Sequence, residues 1–305
     1  MEKRGNLWEK IEKQTRNALQ CGALQPIPTE FEWVDQAGMR FLVRVSQNLV
    51  RKEAAASQRN LKKVVKEKAT KESNPFLPYD QNLFVADLSP THVCLLNKFN
   101  VVDHHLLMVT REFEAQENLL TLPDFEAMWL CLAEVDGLVF YNGGPQAGAS
   151  QPHKHLQLVP FPLVDTGVKL PIESEIAAVQ YQGITATVPQ FPFLHRIVRL
   201  DPAWATVTVD AAAATLEYYQ ILLQTLGIKG EQGMSGQQSA PYNLLATREW
   251  MMIILRTQEQ FENIPVNALG FAGTLFVRSH EQLQTLRNLT PLTILQNVGV
   301  TAGGV

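Results

Sequence analysis

The feature that most constrains this chain is an alternation near its middle. His153, His155 and Gln157 take every second position of Ser150-Gln151-Pro152-His153-Lys154-His155-Leu156-Gln157-Leu158-Val159-Pro160. An apolar run with period two reads as a β-strand, and a strand turns successive side chains to opposite faces. Two imidazoles and one carboxamide therefore share a face, while Lys154, Leu156 and Leu158 share the other. Just upstream, Asn142-Gly143-Gly144-Pro145-Gln146-Ala147-Gly148-Ala149-Ser150 reads as a flexible loop rich in backbone donors. A phosphate-cradling loop feeding a histidine-bearing strand points to nucleotide chemistry on histidine.

The chemistry follows from the residue types. A neutral imidazole is a good nucleophile toward phosphorus near pH 7, because its ordinary pKa is about 6.5. Attack yields a phosphoramidate that a second nucleophile can open. One ring nitrogen must attack while the other is held as N–H by an acceptor. Glycines Gly143, Gly144 and Gly148 let main-chain N–H groups approach phosphate oxygens, and Gln157 shares the reactive face. Lys98, Lys154 and Arg256 are candidate cations for a leaving polyphosphate. Two readings compete with this one. A single strand His is usually a satisfied polar residue, although two His and a Gln on one face beside a glycine loop argue against that. His153 and His155 also suit a zinc ion, but a third ligand must come from elsewhere, and adjacent His104 and His105 face opposite ways, so only one could join. His92, His195 and His280 lack a partner pattern and are read as structural.

Composition narrows the class. With 305 residues the chain can bury a sizeable core as one large domain or two fused units. Its 26 basic and 30 acidic residues leave a net charge of −4, which argues against a general nucleic-acid binder. No apolar run approaches the ~20 residues of a membrane span, and no signal-type apolar core follows Met1, so a cytoplasmic protein is expected. Cys21, Cys94 and Cys131 lie far apart and read as reduced thiols. A monomer or small homo-oligomer is expected.

Local patterns predict an amphipathic helix over 6–20, and strands at Phe41–Val45, Val93–Leu96 and Leu106–Val109, the last two as an antiparallel pair. Two prolines make Asn74-Pro75-Phe76-Leu77-Pro78 irregular. A helix opens at Thr121-Leu122-Pro123-Asp124 and its buried stripe carries to about Phe140. Further on come a strand at Ile197–Leu200, a helix capped by Asp210 and stopped near Gly227, a polar loop over 231–239, strands at Trp250–Leu255 and Thr274–Val277, and short helices near 280–288 and 291–298. Arg51–Lys71 is basic and poor in apolar residues, a solvated segment from which one or two cations reach a polyphosphate. Short connections favour antiparallel pairing, so the expected class is α+β.

At these residues the chain resembles the transferase branch of the histidine triad superfamily, and within it the diadenosine tetraphosphate phosphorylases, or ATP adenylyltransferases. That branch is marked by His-x-His-x-Gln, here His153-Lys154-His155-Leu156-Gln157; the hydrolase branch has a third His where Gln157 stands. Similar blocks are Asn74–Tyr79, Leu95–Asn100, Asp103–Leu107, Tyr141–Gln151, Tyr242–Thr247 with Trp250–Met252, and Asn267–Gly273, covering most of 40–300. The resemblance implies a histidine-triad-like antiparallel sheet flanked by helices (1–165) and a C-terminal α+β unit (190–305) that completes the nucleotide site. It implies reversible conversion of diadenosine tetraphosphate and phosphate to ATP and ADP. His155 would be adenylylated, His153 would orient it, and Gln157 would contact the transferring phosphate. Lys52, Asn97, Lys98, Asn142, Gly148, Ala149, Ser150, Gln151, Leu245, Ala246, Thr247, Met252 and Arg256 would bind substrate. No metal ligand is assigned; Mg²⁺ would come with the polyphosphate. The alternatives are a sugar-1-phosphate nucleotidyltransferase, whose relatives carry His-Pro-His-Gly-Gln and cysteine-linked metal sites, a dinucleoside polyphosphate hydrolase, and a non-catalytic nucleotide sensor.

Overall fold

The computed structural model describes residues 5–46, 74–164, 168–233 and 236–302. Lys52 and the basic segment 51–71 lie outside them. The elements in chain order are α1 (Leu7–Gln20), β1 (Glu30–Gln36), β2 (Met39–Val45), β3 (Phe84–Asp87), β4 (His92–Leu96), β5 (Leu106–Thr110), α2 (Leu122–Glu134), β6 (Gly137–Gly143) and β7 (His155–Pro160). There follow α3 (Glu173–Ala177), β8 (Thr185–Ala186), β9 (His195–Arg199), α4 (Thr208–Thr225), β10 (Tyr242–Ala246), β11 (Trp250–Leu255), β12 (Gln260–Phe261), β13 (Ile264–Pro265), α5 (Ala268–Phe271), β14 (Thr274–Val277), α6 (His280–Leu289) and α7 (Pro291–Val298).

The fold is α+β. Its centre is a nine-stranded antiparallel sheet in the order β3-β4-β5-β7-β6-β10-β11-β9-β8. Pairing of β6 with β10, with Asn142 opposite Asn243, makes the two halves of the chain one sheet. The apolar side chains of α1, α2 and α4 cover one face, packing on Leu156, Leu158, Val139, Tyr141, Leu244 and Met251. Over the other face, a small sheet of β1, β2 and β14 and the helices α5 to α7 cover only the C-terminal part, through Phe140, Leu245, Met252 and Ile254. Beyond that cover, β4 and β5 meet the irregular segment at Phe76 through Val93, Leu95, Leu107 and Val109. The cavity described below lies there because the second layer stops short.

Two helix boundaries differ from the sequence reading. α2 ends at Glu134, and residues up to Phe140 belong to β6. Asp136-Gly137 interrupts the helical stripe, and Leu138-Val139-Phe140-Tyr141 is a buried β-branched and aromatic run suited to a central strand. Asp210 does not cap α4: the cap position is Val207, and Asp210 sits in the first turn, where its charge complements the helix dipole. At α2 the expected capping box is present, with Asp124 Oδ2 accepting from the Thr121 N–H at 2.7 Å.

Candidate active site

The ladder of β7 begins at His155; His153 lies just before it and bridges Ala115 instead. Both imidazoles nevertheless face the same apolar lid, with the Phe76 ring 5.6 Å from that of His153 and 5.4 Å from that of His155. His153 donates from Nε2 to the Thr110 carbonyl at 2.8 Å and accepts at Nδ1 from Asn74 Nδ2 at 2.9 Å. Its own carbonyl accepts from His155 Nδ1 at 2.8 Å. That bond assigns the proton to Nδ1 and leaves the Nε2 lone pair of His155 unengaged by any described residue. Burial lowers the pKa of His155 to about 4, with the neighbouring His153 adding to the shift and the carbonyl bond opposing it. At neutral pH the ring is neutral, the form in which an imidazole nitrogen keeps a lone pair for attack.

Gln157 gains its orientation from a residue the sequence reading left unassigned. His105, on the adjacent edge of β5, donates from Nε2 to Gln157 Oε1 at 3.0 Å and accepts at Nδ1 from Asn97 Nδ2 at 3.1 Å. With its oxygen engaged by His105, Gln157 keeps two N–H donors on a residue that lines the cavity. Burial also lowers His105 to about 4, so this ring is neutral and its single N–H goes to Gln157. Gln116 is a second residue not foreseen. It is 1% exposed, accepts from the His155 N–H at 2.9 Å, and donates to the carbonyls of Asn142 at 2.9 Å and His155 at 3.2 Å. It stitches β6 to β7 at the point where the glycine loop prevents regular pairing. No sequence signal marks Gln116, because its position depends on a fold-back of 39 residues.

These groups line a cavity of about 570 Å³ bounded by Phe76, Tyr79, Leu95, Asn97, Lys98, Phe99, Ser150, Gln151, His155 and Gln157. An apolar chamber of this size with a few convergent polar groups is the ordinary form of a small-ligand site. Of the residues proposed from the sequence, Asn97, Lys98, Ser150, Gln151, His155 and Gln157 meet here. Ala149 and Ser150 also border a second hollow of about 450 Å³ on the far side of Gln151, with Asn74, Phe113 and Gln116. Gly148 is held at φ +88°, and a Cβ there would come within 2.9 Å of Val266 O and Asn267 Cα, so only glycine lets the loop dock on the C-terminal half.

Other expected positions lie elsewhere. Leu245, Ala246 and Met252 are fully buried in the two cores of the sheet. Thr247 closes the β10–β11 turn by accepting from the Glu249 and Trp250 N–H groups. Lys154 is not a cation for polyphosphate: it is fully buried on the helix-covered face, where Nζ meets Asp124 at 2.7 Å and Glu114 at 3.2 Å. Parity decides this, since Lys154 sits one residue from each site histidine. Arg256 is 2% exposed and lies behind the glycine loop. His92 pairs with Asp124 at 3.2 Å, and His195 is buried between Phe193 O and the Val188 N–H.

Comparison with known proteins gives the family and the fold. Residues 1–178 match the Ap4A phosphorylase N-terminal domain and residues 189–301 the ATP adenylyltransferase C-terminal domain. The chain is 28% identical over 245 residues to diadenosine 5',5'''-P1,P4-tetraphosphate phosphorylase 2 of Saccharomyces cerevisiae, spanning 71% of this chain and 72% of that protein. It is similar in fold to the crystal structure of yeast Ap4A phosphorylase Apa2, with a TM-score of 0.78 at 24% identity over 99% of this chain and 97% of that one. The same yeast enzyme in complex with Ap4A gives a TM-score of 0.76 at 22% identity, with 98% of each chain covered. A family model matching residues 1–178, more than half of the 305, places the chain: it belongs to the Ap4A phosphorylase family.

Proposed function

We infer that this chain is a nucleotidyltransferase that cleaves diadenosine tetraphosphate (Ap4A) with inorganic phosphate to ATP and ADP, reversibly, through an adenylyl group carried on His155. The observation that carries the reading is the 2.8 Å bond from His155 Nδ1 to the His153 carbonyl, which reserves Nε2 for attack beside a nucleoside-sized cavity. Nε2 forms a bond to the phosphorus next to one adenosine, the P–O bond to the remaining chain breaks, and ATP leaves. The ring is then cationic, and the His153 carbonyl stabilises it through Nδ1–H. An oxygen of inorganic phosphate next attacks the same phosphorus, the N–P bond breaks, ADP leaves, and His155 returns neutral. Gln157, oriented by His105, donates to the phosphoryl oxygens, while N–H groups of the 148–151 loop and Lys98 face the polyphosphate. The apolar walls at Phe76, Leu95 and Phe99 suit an adenine, and the second hollow leaves room for the rest of the substrate.

Among the described residues no group of three His, Cys, Asp or Glu is placed to hold an ion. In this reading Mg²⁺ comes with the bound polyphosphate, and no step above runs through it. The partners are nucleotides and phosphate rather than nucleic acid, taken by a monomer or small homo-oligomer in the cytoplasm. In support, no helix of the described residues is long and apolar enough to cross a membrane, and Cys21, Cys94 and Cys131 are free thiols. Intact-mass analysis after exposure to Ap4A without phosphate is expected to find one AMP on His155, and adding phosphate is expected to release ADP. An adduct on another residue overturns the mechanism; AMP plus ATP without phosphate uptake makes the protein a hydrolase; binding with no turnover makes it a sensor.

A further inference from the structure

A polar relay runs behind the glycine loop, from the C-terminal half into Asn142. Arg256 follows β11 and is 2% exposed. Its donors go to oxygens: Nη1 to Asn243 Oδ1 at 2.6 Å and Ala147 O at 3.2 Å, Nη2 to Gln258 O at 2.7 Å and Val266 O at 2.9 Å, Nε to Val298 O at 3.0 Å. A guanidinium only donates, so it selects the oxygen end of the Asn243 amide. The Nδ2 of Asn243, a fully buried residue on β10, must then point away, and it donates to Asn142 Oδ1 at 2.9 Å and Ala147 O at 2.8 Å. The Ala268 N–H adds a second bond to Asn142 Oδ1 at 2.9 Å. Both acceptor sites of that oxygen are filled, which leaves the two N–H groups of Asn142 as its active end.

Asn142 shares its face with the site. Phe140 is opposite Gln157 in the β6–β7 register, so a step of two along each antiparallel strand brings Asn142 level with His155. Gln116 ties the two backbones together at that level. We propose that Arg256 and Asn243 are positioning residues for phosphoryl transfer: without touching substrate, they fix the Asn142 amide with its N–H groups toward the transferring phosphate and hold the Ala147 carbonyl at the turn of the glycine loop. The proposal rests on the phosphorolysis reading for the identity of the anion, and it gives Arg256 a different task from neutralising polyphosphate.

Asn243→Asp tests it. This change keeps the side-chain volume and gives Arg256 a carboxylate, but removes the donor to Asn142 and Ala147. The expected result is a folded protein with an unreduced melting temperature and a kcat for Ap4A phosphorolysis lowered about tenfold to hundredfold, while KM for Ap4A moves less than about threefold. In an Asn142→Ala background the same change is expected to lower kcat by a clearly smaller factor than in the parent, because the Asn142 amide is gone and only the tie to Ala147 remains. A folded Asn243→Asp protein with kcat within about twofold of the parent overturns the proposal, and so does full additivity with Asn142→Ala. Arg256→Met removes the far end of the relay and is expected to lower melting temperature as well, so it serves as the second variant. The parent is assayed first. If it does not turn over Ap4A, the phosphorolysis reading fails by itself, and the cycle is read on ATP affinity by calorimetry, where non-additivity supports the relay and additivity overturns it.

Discussion

The two faces of β7 hold two buried polar clusters, and they differ in one respect. On the helix-covered face, Lys154 meets Asp124, the Leu119 carbonyl and Glu114, and Asp124 also accepts from His92 and the Thr121 N–H. Burial alone would raise the Asp124 pKa, but Lys154 and His92 outweigh it and bring it down to about 2. Every strong donor and acceptor there is matched. On the cavity face, the network through Asn97, His105, Gln157, His153 and Asn74 is equally ordered, yet among the described residues it leaves His155 Nε2 and the Gln157 amide N–H groups unmatched. A closed network holds a fold together; one with its loose ends gathered at a cavity is ready for a ligand. The same strand supplies both, because period two separates Lys154 from its neighbours on either side.

Breaking each cluster separately tests that contrast. The largest effect is expected on the open side: His155→Ala removes the proposed nucleophile and is expected to lower kcat on the order of 10⁴-fold with melting temperature nearly unchanged. Turnover above a tenth of the parent would contradict it. Next comes the closed side. Lys154→Met leaves Asp124 buried without its main counter-ion and is expected to cost about 3–5 kcal/mol of stability. Urea unfolding measures this, and a midpoint equal to that of the parent would show the pair to be dispensable. A third, smaller effect falls between the two: His105→Phe keeps the ring but frees Gln157 Oε1, so the amide can present either end to the phosphate. Loss of roughly 10²-fold in kcat is expected, with Gln157→Ala adding little in that background.

Per ring and per pH unit, the smallest effect is pH-dependent stability. Burial lowers His105, His155 and His195 each to about 4. Unfolded, they take up protons below about 6.5, and the folded chain refuses them until about 4. Stability is therefore expected to fall as pH drops from 6.5 toward 4, by roughly 1 kcal/mol per pH unit for each ring, and to gain nothing from these groups above 6.5. Asp124 adds a loss of its own below about 3.8. Equal urea midpoints at pH 7 and pH 5 would show that the rings are not buried as neutral species.

Much of this was legible in local pattern. The alternation at 153–157 placed the histidines and Gln157, the Thr121–Asp124 box marked the start of α2, and Val93–Leu96 with Leu106–Val109 gave the hairpin of β4 and β5. Strands β6 and β10 were harder. Both are buried on each face, so neither carries an alternation, and β6 follows a helix whose apolar stripe runs straight into it. The cations were harder still. Lys154 and Arg256 are charged residues next to site motifs, and the sequence alone does not report that one faces the helices and the other sits behind the loop.

By itself the sequence determined which face His153, His155 and Gln157 share, the loop that precedes them and the resemblance to the family, because these rest on residues close together in the chain, where strand parity and glycine geometry act directly. Tertiary structure decided which tautomer His155 adopts, that His105 and Gln116 hold the site, and that Arg256 braces rather than lines it. Each of those depends on pairing between strands and loops distant in sequence, and hydrogen-bond direction exists only once both partners are in place.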